Sequence, residues 1–560
     1  MGRWRLMKTK MMALFSVVVW SIASVAGAEP RVKEVAVCGH SVALREDGTV
    51  FCWGMNDAGQ CDVPKGLKDI VEVRAGFRYS AALKRDGTVV AWGAFPQGLN
   101  GARDVATIGA SGEYALVVKK DGRVVSYGTS AYDQTRVPRG LRDVVAISAS
   151  ATHVLALKED GTVVAWGKNV YGESSVPAGL SDVVGVSAGY EYSLALRKDG
   201  AVFAWGKNDA GQCNVPTGLR DVVKVAAGCP VLALKSDGTV VFWGAGWHRY
   251  RYPPGFPDLK DVVSLADDVA VRKDGAVVRF GGMGFPVGWQ GIRTIAAGET
   301  YGVAVRHDGS VAMWGGIYSS GYWFPIPPGL NDVVEVSAGP LYAAALRKDG
   351  SAAVWGLSPD RGDLATRLRG PLKAVATGYS HLLLLGRDGT VSAYGKNDAG
   401  QCDIPAGLRD VVAVAAGGLH SVALRVDGTV VAWGANWDGQ CDVPKGLKDV
   451  VAVSAGAWHT VALRKDGTVV AWGGNDNGQC DVPAGLTSVV AIVCGPMHNL
   501  ALKEDGTVMA WGRNGEGQCA VPPGLKHVKG IAAGSVASYA LLGNGRIAFW
   551  GISGTYVPGE

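Results

Sequence analysis

Residues 411–447 read VVAVAAGGLHSVALRVDGTVVAWGANWDGQCDVPKGL, and this stretch decides the fold. It begins with a short apolar run at 411–416, and a second apolar run follows at 420–425. A third run at 429–433 is β-branched and aromatic, which favours a strand. The segment 441–444 is predicted to form a short fourth strand that ends at its proline, because proline cannot donate to a central ladder. No part of the stretch has a helical period long enough for a helix.

Asp427 and Gly428 lie between the second and third predicted strands. An Asp-Gly pair between apolar runs is a strong hairpin signal, because both central positions of that turn favour positive φ. We therefore predict that the chain reverses here and that the two strands pair antiparallel.

The same pattern recurs along the whole chain, so it defines a repeat. Each copy contains an aromatic residue followed by glycine, and most spacings between copies are 39 residues, within a range of 34 to 41. Thirteen copies have Asp-Gly six residues before this aromatic residue, and the last copy has Asn544-Gly545 instead. The fourteen aromatic residues are Trp53, Trp92, Tyr127, Trp166, Trp205, Trp243, Phe280, Trp314, Trp355, Tyr394, Trp433, Trp472, Trp511 and Trp550.

Four short strands in a unit of about 40 residues are typical of one β-propeller blade. Because propellers usually close with about 4 to 8 blades, fourteen copies divide most simply into seven and seven. We therefore predict an all-β fold of two consecutive seven-bladed β-propellers, with domains at 29–292 and 293–560. A division into eight and six blades and a continuous solenoid of fourteen units are the alternatives.

The first 28 residues differ from the rest of the chain. Four Lys or Arg residues between positions 3 and 10 precede a mainly apolar stretch at 11–25, and Ala26-Gly27-Ala28 fits a cleavage site. We expect a signal peptide at 1–28 and a secreted or periplasmic chain that begins at Glu29, and an uncleaved membrane anchor is the alternative. After the leader no apolar run is long enough for a membrane span.

Composition and charge narrow the classes of function. Hydrophobic residues make up 48% of the chain and charged residues 19%, which excludes a disordered protein. Removal of the four leader charges lowers the net charge from +5 to +1. A near-neutral chain is a poor candidate for nucleic-acid binding, which depends on a basic surface.

The repeat resembles a known one. Residues 416–440 match the pattern Ala-Gly-x-x-His-Ser-x-Ala-Leu-x-x-Asp-Gly-Thr-Val-x-Ala-Trp-Gly-x-Asn-x-x-Gly-Gln, and residues 455–479 and 39–60 nearly match it. This pattern resembles the repeat of the regulator-of-chromosome-condensation propellers. The Val-Pro-x-Gly-Leu after it looks more like the exported bacterial members, including the propeller-type β-lactamase-inhibitory protein. The resemblance implies seven blades per ring and activity by surface binding without catalysis, but it implies no shared target.

Six histidines occupy one position of the repeat, thirteen residues before its aromatic residue, and five other copies have Tyr there. We interpret this position as structural, a half-buried polar group bonded to backbone, because Tyr replaces His and the blades hold the rings too far apart to share a metal. The residues are His40, His153, His381, His420, His459 and His498, with Tyr79, Tyr114, Tyr192, Tyr301 and Tyr342. We therefore expect no metal site and no cofactor.

Six of the ten cysteines share another position, directly after a Gly-Gln pair, where one copy has Ser174. They lie on separate blades, farther apart than a disulfide allows, so we expect them to pack as small apolar residues. They are Cys61, Cys213, Cys402, Cys441, Cys480 and Cys519. The sequence leaves open the pairing of Cys38, Cys52, Cys229 and Cys494.

The sequence has no serine nucleophile elbow, no His-Glu-x-x-His and no phosphate-binding glycine loop. Asp267 and Asp268, at the His/Tyr position of the seventh unit, are the only paired carboxylates in an unusual place. A propeller-based lyase or hydrolase would need acid, base or metal groups that converge. We predict a protein that is not an enzyme and keep the lyase or hydrolase as an alternative.

One face of the predicted propellers is variable. Strand direction alternates, so the loop between strands 1 and 2 and the turn after strand 3 share one face, which we call the loop face. The residues of the loop face differ between blades and include many Trp, Tyr and Arg, which dominate binding hot spots, whereas the Asp-Gly turns of the opposite face are nearly uniform. The predicted partner-binding residues are Phe77, Arg78, Tyr190, Trp247, Tyr250, Tyr252, Tyr322, Trp323, Phe324, Tyr379, Trp437 and Trp458. The alternative for those in units 6 to 8 is that they pack the two propellers together.

These observations predict an exported, monomeric recognition module that binds a protein partner, or a glycan, and inhibits or scaffolds an extracytoplasmic protein. A guanine-nucleotide-exchange or chromatin-type regulator is a second alternative, opposed by the predicted export and the near-neutral charge.

Overall fold

The computed structural model describes residues 31–555 with gaps at 229, 245–260, 267–268, 274–276, 280–288, 299–300, 316–325, 341, 357–370 and 552–554. In this part of the chain every regular element is a β-strand. The strands form fourteen antiparallel three-stranded sheets, and each sheet consists of three consecutive strands. The predicted all-β class is confirmed, and each sheet is one blade.

The first seven blades contain strands β1 to β21. Their bounds are β1 Val32–Cys38, β2 His40–Arg45, β3 Val50–Gly54, β4 Ile70–Ala75, β5 Tyr79–Lys84, β6 Val89–Gly93, β7 Val105–Ser111, β8 Tyr114–Lys119, β9 Val124–Gly128, β10 Val144–Ala149, β11 His153–Lys158, β12 Val163–Gly167, β13 Val183–Ala188, β14 Tyr192–Arg197, β15 Val202–Gly206, β16 Val222–Ala226, β17 Val231–Lys235, β18 Val240–Trp243, β19 Val262–Ala266, β20 Val269–Arg272 and β21 Val277–Arg279.

The last seven blades contain strands β22 to β42. Their bounds are β22 Ile292–Ala297, β23 Tyr301–Arg306, β24 Val311–Gly315, β25 Val333–Ala338, β26 Tyr342–Arg347, β27 Ala352–Gly356, β28 Leu372–Thr377, β29 His381–Gly386, β30 Val391–Gly395, β31 Val411–Ala416, β32 His420–Arg425, β33 Val430–Gly434, β34 Val450–Ala455, β35 His459–Arg464, β36 Val469–Gly473, β37 Val489–Cys494, β38 His498–Lys503, β39 Val508–Gly512, β40 Val528–Ala533, β41 Ala537–Leu542 and β42 Ile547–Gly551.

Neighbouring blades pack side by side, and at two places the last blade of a series packs against its first blade, so that each series forms a closed ring. β1 packs against β19 and β20 of the seventh blade, and β22 packs against β40 and β41 of the fourteenth. At the second closure, Ile292 N donates to Gly545 O at 3.2 Å. The fold is therefore two seven-bladed rings, as predicted. The domain limits at 292 and 293 stay a prediction; β22 begins at Ile292.

The prediction of a fourth strand is wrong. After β33 the chain turns on itself, because Asp442 N donates to Gly439 O at 3.0 Å and Val443 N donates to Cys441 O at 2.9 Å. These donors are no longer available for a ladder, and Pro444 has no N–H to offer. The described blades therefore have three strands, and the fourth segment is a turn that leads to the next blade.

The Asp-Gly pairs form hairpins, but with a different geometry from the predicted one. Arg425 N donates to Thr429 O at 2.9 Å and Gly428 N donates to Arg425 O at 3.0 Å, so the loop has three residues. Of the pair, only Gly428 has a positive φ, +83°. Asp427 instead accepts hydrogen bonds from N and Oγ1 of Thr429, at 2.9 and 2.7 Å. The aspartate therefore serves as the acceptor that closes the loop.

Buried apolar residues lie between adjacent blades. Between the eleventh and twelfth, for example, Leu424 packs with Val450 and Trp472. One larger cluster combines both rings, with Val271 near the first closure and Tyr539 near the second. This cluster does not decide the packing alternative for the aromatic residues of units 6 to 8, which lie outside the described residues.

The predicted signal peptide at 1–28 also lies outside the described residues. Where the structure describes the chain, it contains no helix with the length and apolar character that a membrane crossing requires.

Candidate functional site

A belt of hydrogen bonds beneath the loop face joins each blade to the next. His459, fully buried, bonds through Nε2 to Oδ1 of Asn499 in the next blade at 2.7 Å. Where Tyr replaces His, its hydroxyl reaches backbone: Tyr192 Oη donates to Gly228 O at 2.7 Å. The same side-chain bond joins His40 to Ser80, His153 to Ser193, His381 to Ser421, His420 to Thr460 and His498 to Ser538. The position is structural, as interpreted, but the histidines are buried rather than half-buried, and each bonds to a side chain of the next blade; His40 Nδ1 also bonds to Cys38 O at 3.2 Å.

Burial makes these belt histidines poor bases, because a charged imidazole would lose its hydration. Burial lowers the pKa of His40, His153, His381, His459 and His498 to about 4, and that of His420 to about 3. The rings are therefore neutral at neutral pH. Among the described residues, no group of three or more His, Cys, Asp or Glu is placed to hold a metal ion.

The belt fixes the loop between strands 1 and 2. The ring of His459 lies on Gly456, where an added Cβ would be 2.1 Å from Cε1 of the imidazole. Gly456 N also donates to His459 O at 2.9 Å. A side chain at Gly456 would overlap the imidazole where it lies now, and the two residues between them, Ala457 and Trp458, are held in a short loop.

The turn after strand 3 is anchored to the next blade as well. Trp472 Nε1 donates to Gln440 O at 3.1 Å, and Thr460 Oγ1 donates to the same carbonyl at 2.9 Å. The side chain of Gln440 accepts a hydrogen bond from Asp438 N at 2.9 Å. Loops and turns of adjacent blades are therefore fixed against each other, and the loop face presents its side chains from a rigid backbone.

The cysteine position closes the same turn. Cys441 Sγ donates to Ala435 O at 3.2 Å, and Ser174 Oγ makes the equivalent bond to Lys168 O at 2.7 Å. Burial raises the pKa of the Cys441 thiol to about 11, so it keeps its proton. The prediction of purely apolar packing is corrected: the position needs a small hydrogen-bond donor, which explains why Ser replaces Cys.

Cys61 differs from the other cysteines at this position. It forms a disulfide with Cys52 of β3, with a Cα–Cα distance of 5.0 Å. The prediction that Cys61 only packs is wrong, because its partner lies nine residues earlier in its own blade rather than on another blade. Cys38 and Cys494 remain thiols. Cys229 lies outside the described residues.

In the described part of the chain, exposed aromatic side chains are confined to the loop face. Among the described residues, every aromatic side chain of high exposure lies in a loop between strands 1 and 2 or in a turn after strand 3. They are Phe77, Phe95, Tyr132, Tyr171, Tyr190, Tyr379 and Trp437. Exposed aromatic groups concentrated on one side of a folded protein mark an interaction surface.

Phe77 and Arg78 lie together in the second blade, as their sequence positions require. Phe77 is exposed, and Arg78 Nη2 forms an ion pair with Asp57 Oδ2 of the first blade at 3.0 Å. Both partners are solvent-accessible, so the pair orients Arg78 more than it stabilises the fold. It also shows that the turn of one blade meets the loop of the next.

Tyr190 lies beside a network that the sequence did not reveal. Glu191 is buried, ion-paired to Lys207 Nζ at 2.8 Å and in contact with Lys168. Burial alone would raise the pKa of Glu191, but hydrogen bonds and charge from both lysines hold it below its usual value. Its φ is +65°, a strained backbone for glutamate. Lys207 lies over the ring of Tyr171, 4.8 Å from its centroid.

Trp437 and Trp458 come together in the second ring. Trp437 belongs to the turn of the eleventh blade and Trp458 to the loop of the twelfth. Their ring centroids are 6.0 Å apart, Trp437 is 69% exposed and Trp458 is half-buried. They form one aromatic surface built from two blades.

The remaining predicted residues divide into two groups. Tyr379 is exposed at the mouth of the second ring's channel, and its N donates to Gly417 O at 3.2 Å. The others lie outside the described residues: Trp247, Tyr250, Tyr252, Tyr322, Trp323 and Phe324. Asp267 and Asp268, named for the enzymatic alternative, lie outside them too.

Sequence reasoning missed several loop-face residues. Phe95 and Tyr132 are exposed in the turns of the second and third blades, and Lys168 and Glu191 form the network beside Tyr190. The available signal was the departure of these turns from Asn-Asp-x-Gly-Gln. No pattern signalled the contact of Lys168 with Glu191, because they lie 23 residues apart on different blades.

The described channel residues differ between the two rings. In the first ring Arg74 pairs with Glu34 and Glu72, both at 2.7 Å, and Thr107 Oγ1 donates to Glu72 at 2.9 Å. In the second ring a cavity of ≈80 Å³ is lined mostly by Ala and Gly, and Glu335 occupies the strand position that Glu72 has in the first ring. Arg74, Glu34 and Glu72 of the first ring therefore bond to one another, and Lys224 donates to Ser264 Oγ at 3.1 Å.

Six segments of the chain match the profile of the Regulator of chromosome condensation (RCC1) repeat, at 39–60, 144–173, 183–212, 411–440, 450–479 and 489–518. The chain therefore contains RCC1-type repeats in both of its propeller rings. Prp20p from Saccharomyces cerevisiae, described with its binding to Gsp1p and histones, has a similar structure at 18% identity, covering 48% of this chain and 83% of Prp20p with a TM-score of 0.38. The ectodomain of the receptor kinase CR4 from Physcomitrella patens is similar at 22% identity, 48% and 76% coverage and a TM-score of 0.39. No curated protein matches the sequence.

Proposed function

We propose that this chain is an exported, non-enzymatic protein-binding module that recognises its partner with the loop face. The observation that carries the proposal is the confinement of exposed aromatic side chains to that face among the described residues. Tyr, Trp and Arg dominate binding hot spots. We further propose that binding inhibits or scaffolds an extracytoplasmic protein, which would suit the proposed export of the chain.

The anchored backbone supports this proposal. The belt and the bonds to Gln440 O and its equivalents hold loops and turns in place before any partner arrives. A preorganised surface loses little conformational freedom on binding, so more of the contact energy appears as affinity. The Asp-Gly face has the opposite character, since its carboxylates already bond to their own loops.

Export is part of the proposal. The leader at 1–28 has the charge and apolar pattern of a signal peptide, and the Cys52–Cys61 disulfide suits an oxidising compartment. We propose a mature chain that starts at Glu29 in the periplasm or medium. N-terminal sequencing of protein recovered from fractionated cells should begin at Glu29, and recovery of the full chain from the cytosol would overturn this part.

The binding test compares two faces of the same molecule. The mature chain is used to capture envelope proteins, beside a loop-face variant (Phe77→Ala, Tyr190→Ala, Trp437→Ala) and an Asp-Gly-face control (Val426→Ala, Asp449→Asn). A protein captured by wild type and control should be lost by the loop-face variant, while all three chains keep the same melting temperature.

Two results would overturn the proposal. In the first, the loop-face variant retains the captured protein as well as wild type does. In the second, the captured protein is a guanine-nucleotide-binding protein whose nucleotide release the chain accelerates, or a histone, which would favour the exchange-factor or chromatin alternative.

A further inference from the structure

Four repeat positions meet where the turn of one blade touches the loop of the next. In the fourth and fifth blades these positions hold Lys168, Tyr171, Glu191 and Lys207. Lys168 and Lys207 lie over the Tyr171 ring, 5.8 and 4.8 Å from its centroid, and both contact the Glu191 carboxylate. This site contains an aromatic ring, a carboxylate and its own cations.

The same four positions in the eleventh and twelfth blades hold Ala435, Asp438, Trp458 and Gly474. The aromatic residue and the carboxylate have exchanged places, and both lysines are missing. Trp437 enlarges the aromatic surface. Within the described residues, no Lys or Arg lies over either Trp ring.

The carboxylate and the indoles lie close enough to act together. A Cβ added at Gly474 would be 3.2 Å from Cβ of Trp458 and 3.5 Å from Cβ of Asp438. The Asp438 side chain is exposed. The surface therefore joins an aromatic face to negative charge and is open to solvent.

We infer that Trp437, Trp458 and Asp438 bind a basic side chain, Arg or Lys, of the protein partner. A cation over an indole face is attracted by the ring, and an adjacent carboxylate adds charge complementarity. The first ring supplies these cations from its own chain, whereas the second ring takes its cation from outside. This inference rests on the proposed function, because it names the chemistry of one contact on the loop face.

The test uses the full mature chain labelled with 5-fluorotryptophan and observed by ¹⁹F NMR. Trp437→Phe and Trp458→Phe variants assign the two resonances. The probe is a capped Gly-Arg-Gly peptide, compared with capped Gly-Gln-Gly and Gly-Glu-Gly peptides and with methyl glucoside. The Arg peptide should shift both resonances at millimolar concentration, and the other three probes should not.

Matched variants separate charge from packing. Asp438→Asn should weaken binding of the Arg peptide about 2- to 5-fold, the range expected for the loss of one exposed ion pair. Asp449→Asn, an exposed acid on the Asp-Gly face, should leave it unchanged. Asp438 is exposed, so its replacement leaves the fold intact, which the melting temperature verifies.

Three results would overturn the inference: no shift with the Arg peptide, equal shifts with the Gln peptide, or shifts with methyl glucoside alone, which would identify a sugar site. If the Arg peptide does not bind but the loop-face variant loses the captured protein, this inference is wrong and the proposed function stands. Binding of the Arg peptide without such a loss removes the proposed function instead.

Discussion

Trp458 and His459 are neighbours in the chain but belong to different regions of the molecule. His459 is fully buried in the belt, whereas Trp458 is half-exposed on the loop face. Eleven copies have His or Tyr at the belt position, while the preceding position changes freely, for example to Arg78, Glu191 or Ser380. The repeat is therefore constrained where blades bond to each other and unconstrained one residue away, where they meet solvent.

Low pH should disrupt the hydrogen bonds of the belt and cause the largest loss of stability. The folded pKa of the belt histidines lies below the ordinary value of 6.5, so the unfolded chain binds more protons as pH falls from 6.5 to about 4. Stability that is complete above pH 6.5 is lost across this window, by about 1.4 kcal/mol per pH unit for each histidine. Urea unfolding at pH 7, 6 and 5 measures the slope.

Replacing a belt histidine with the residue that other blades use is the control for acid unfolding. His459→Tyr should reduce the slope of stability against pH, because a buried phenol does not take up a proton in this window. An unchanged slope in this variant would mean that other groups cause the acid sensitivity.

Mutations of Trp472 and Trp437 compare the stability contribution of a buried tryptophan between blades with that of an exposed tryptophan on the loop face. Trp472 is buried between blades and donates to Gln440 O, so Trp472→Ala should cost about 3–5 kcal/mol of unfolding free energy. Trp437→Ala should change it by less than about 0.5 kcal/mol, since that side chain is exposed. Urea titrations of both variants test this, and similar losses would erase the distinction between the regions.

Loss of the disulfide should have the third-largest effect on stability. Replacing Cys52 and Cys61 together with Ser should lower stability by about 2–3 kcal/mol, the loop-closure value for a short ring. Cys441→Ser should stay within about 0.5 kcal/mol, because Ser174 fills that position elsewhere. Dithiothreitol should lower the urea midpoint of wild type and not that of the double variant; equal effects on both would rule out the bond.

Glu191 should give the smallest effect. Glu191→Gln leaves Lys168 and Lys207 without their shared carboxylate and should cost about 1–2 kcal/mol, less than a fully buried pair because the lysines reach solvent. Glu159→Gln, an exposed acid on the other face, is the control with no expected change. Thermal unfolding compares them, and equal midpoints would show that the network orients the loop without stabilising it.

The sequence predicted the features that all blades share. The ring number, the antiparallel hairpins and the structural role of the His/Tyr position all follow from spacing. The prediction of a fourth strand was wrong because backbone groups of 439–444 form hydrogen bonds within that segment and not with a neighbouring strand. The apolar residues of the segment give no sign of these bonds. Contacts special to one blade, such as Cys52 with Cys61 or Lys168 with Glu191, were missed because the common pattern of the repeats conceals them.

Each ring closes through contacts between its first and last blades. In the first ring Arg31 Nη1 donates to Lys273 O at 3.2 Å, across 242 residues of chain. As the polypeptide emerges from the ribosome, the first blade lacks one neighbour until the seventh has been made. Contacts of such long range form slowly, and exposed apolar surface invites aggregation in the meantime. A nascent chain interrupted before the seventh blade should therefore depend on chaperones, whereas one interrupted after it should already contain a completely closed first propeller.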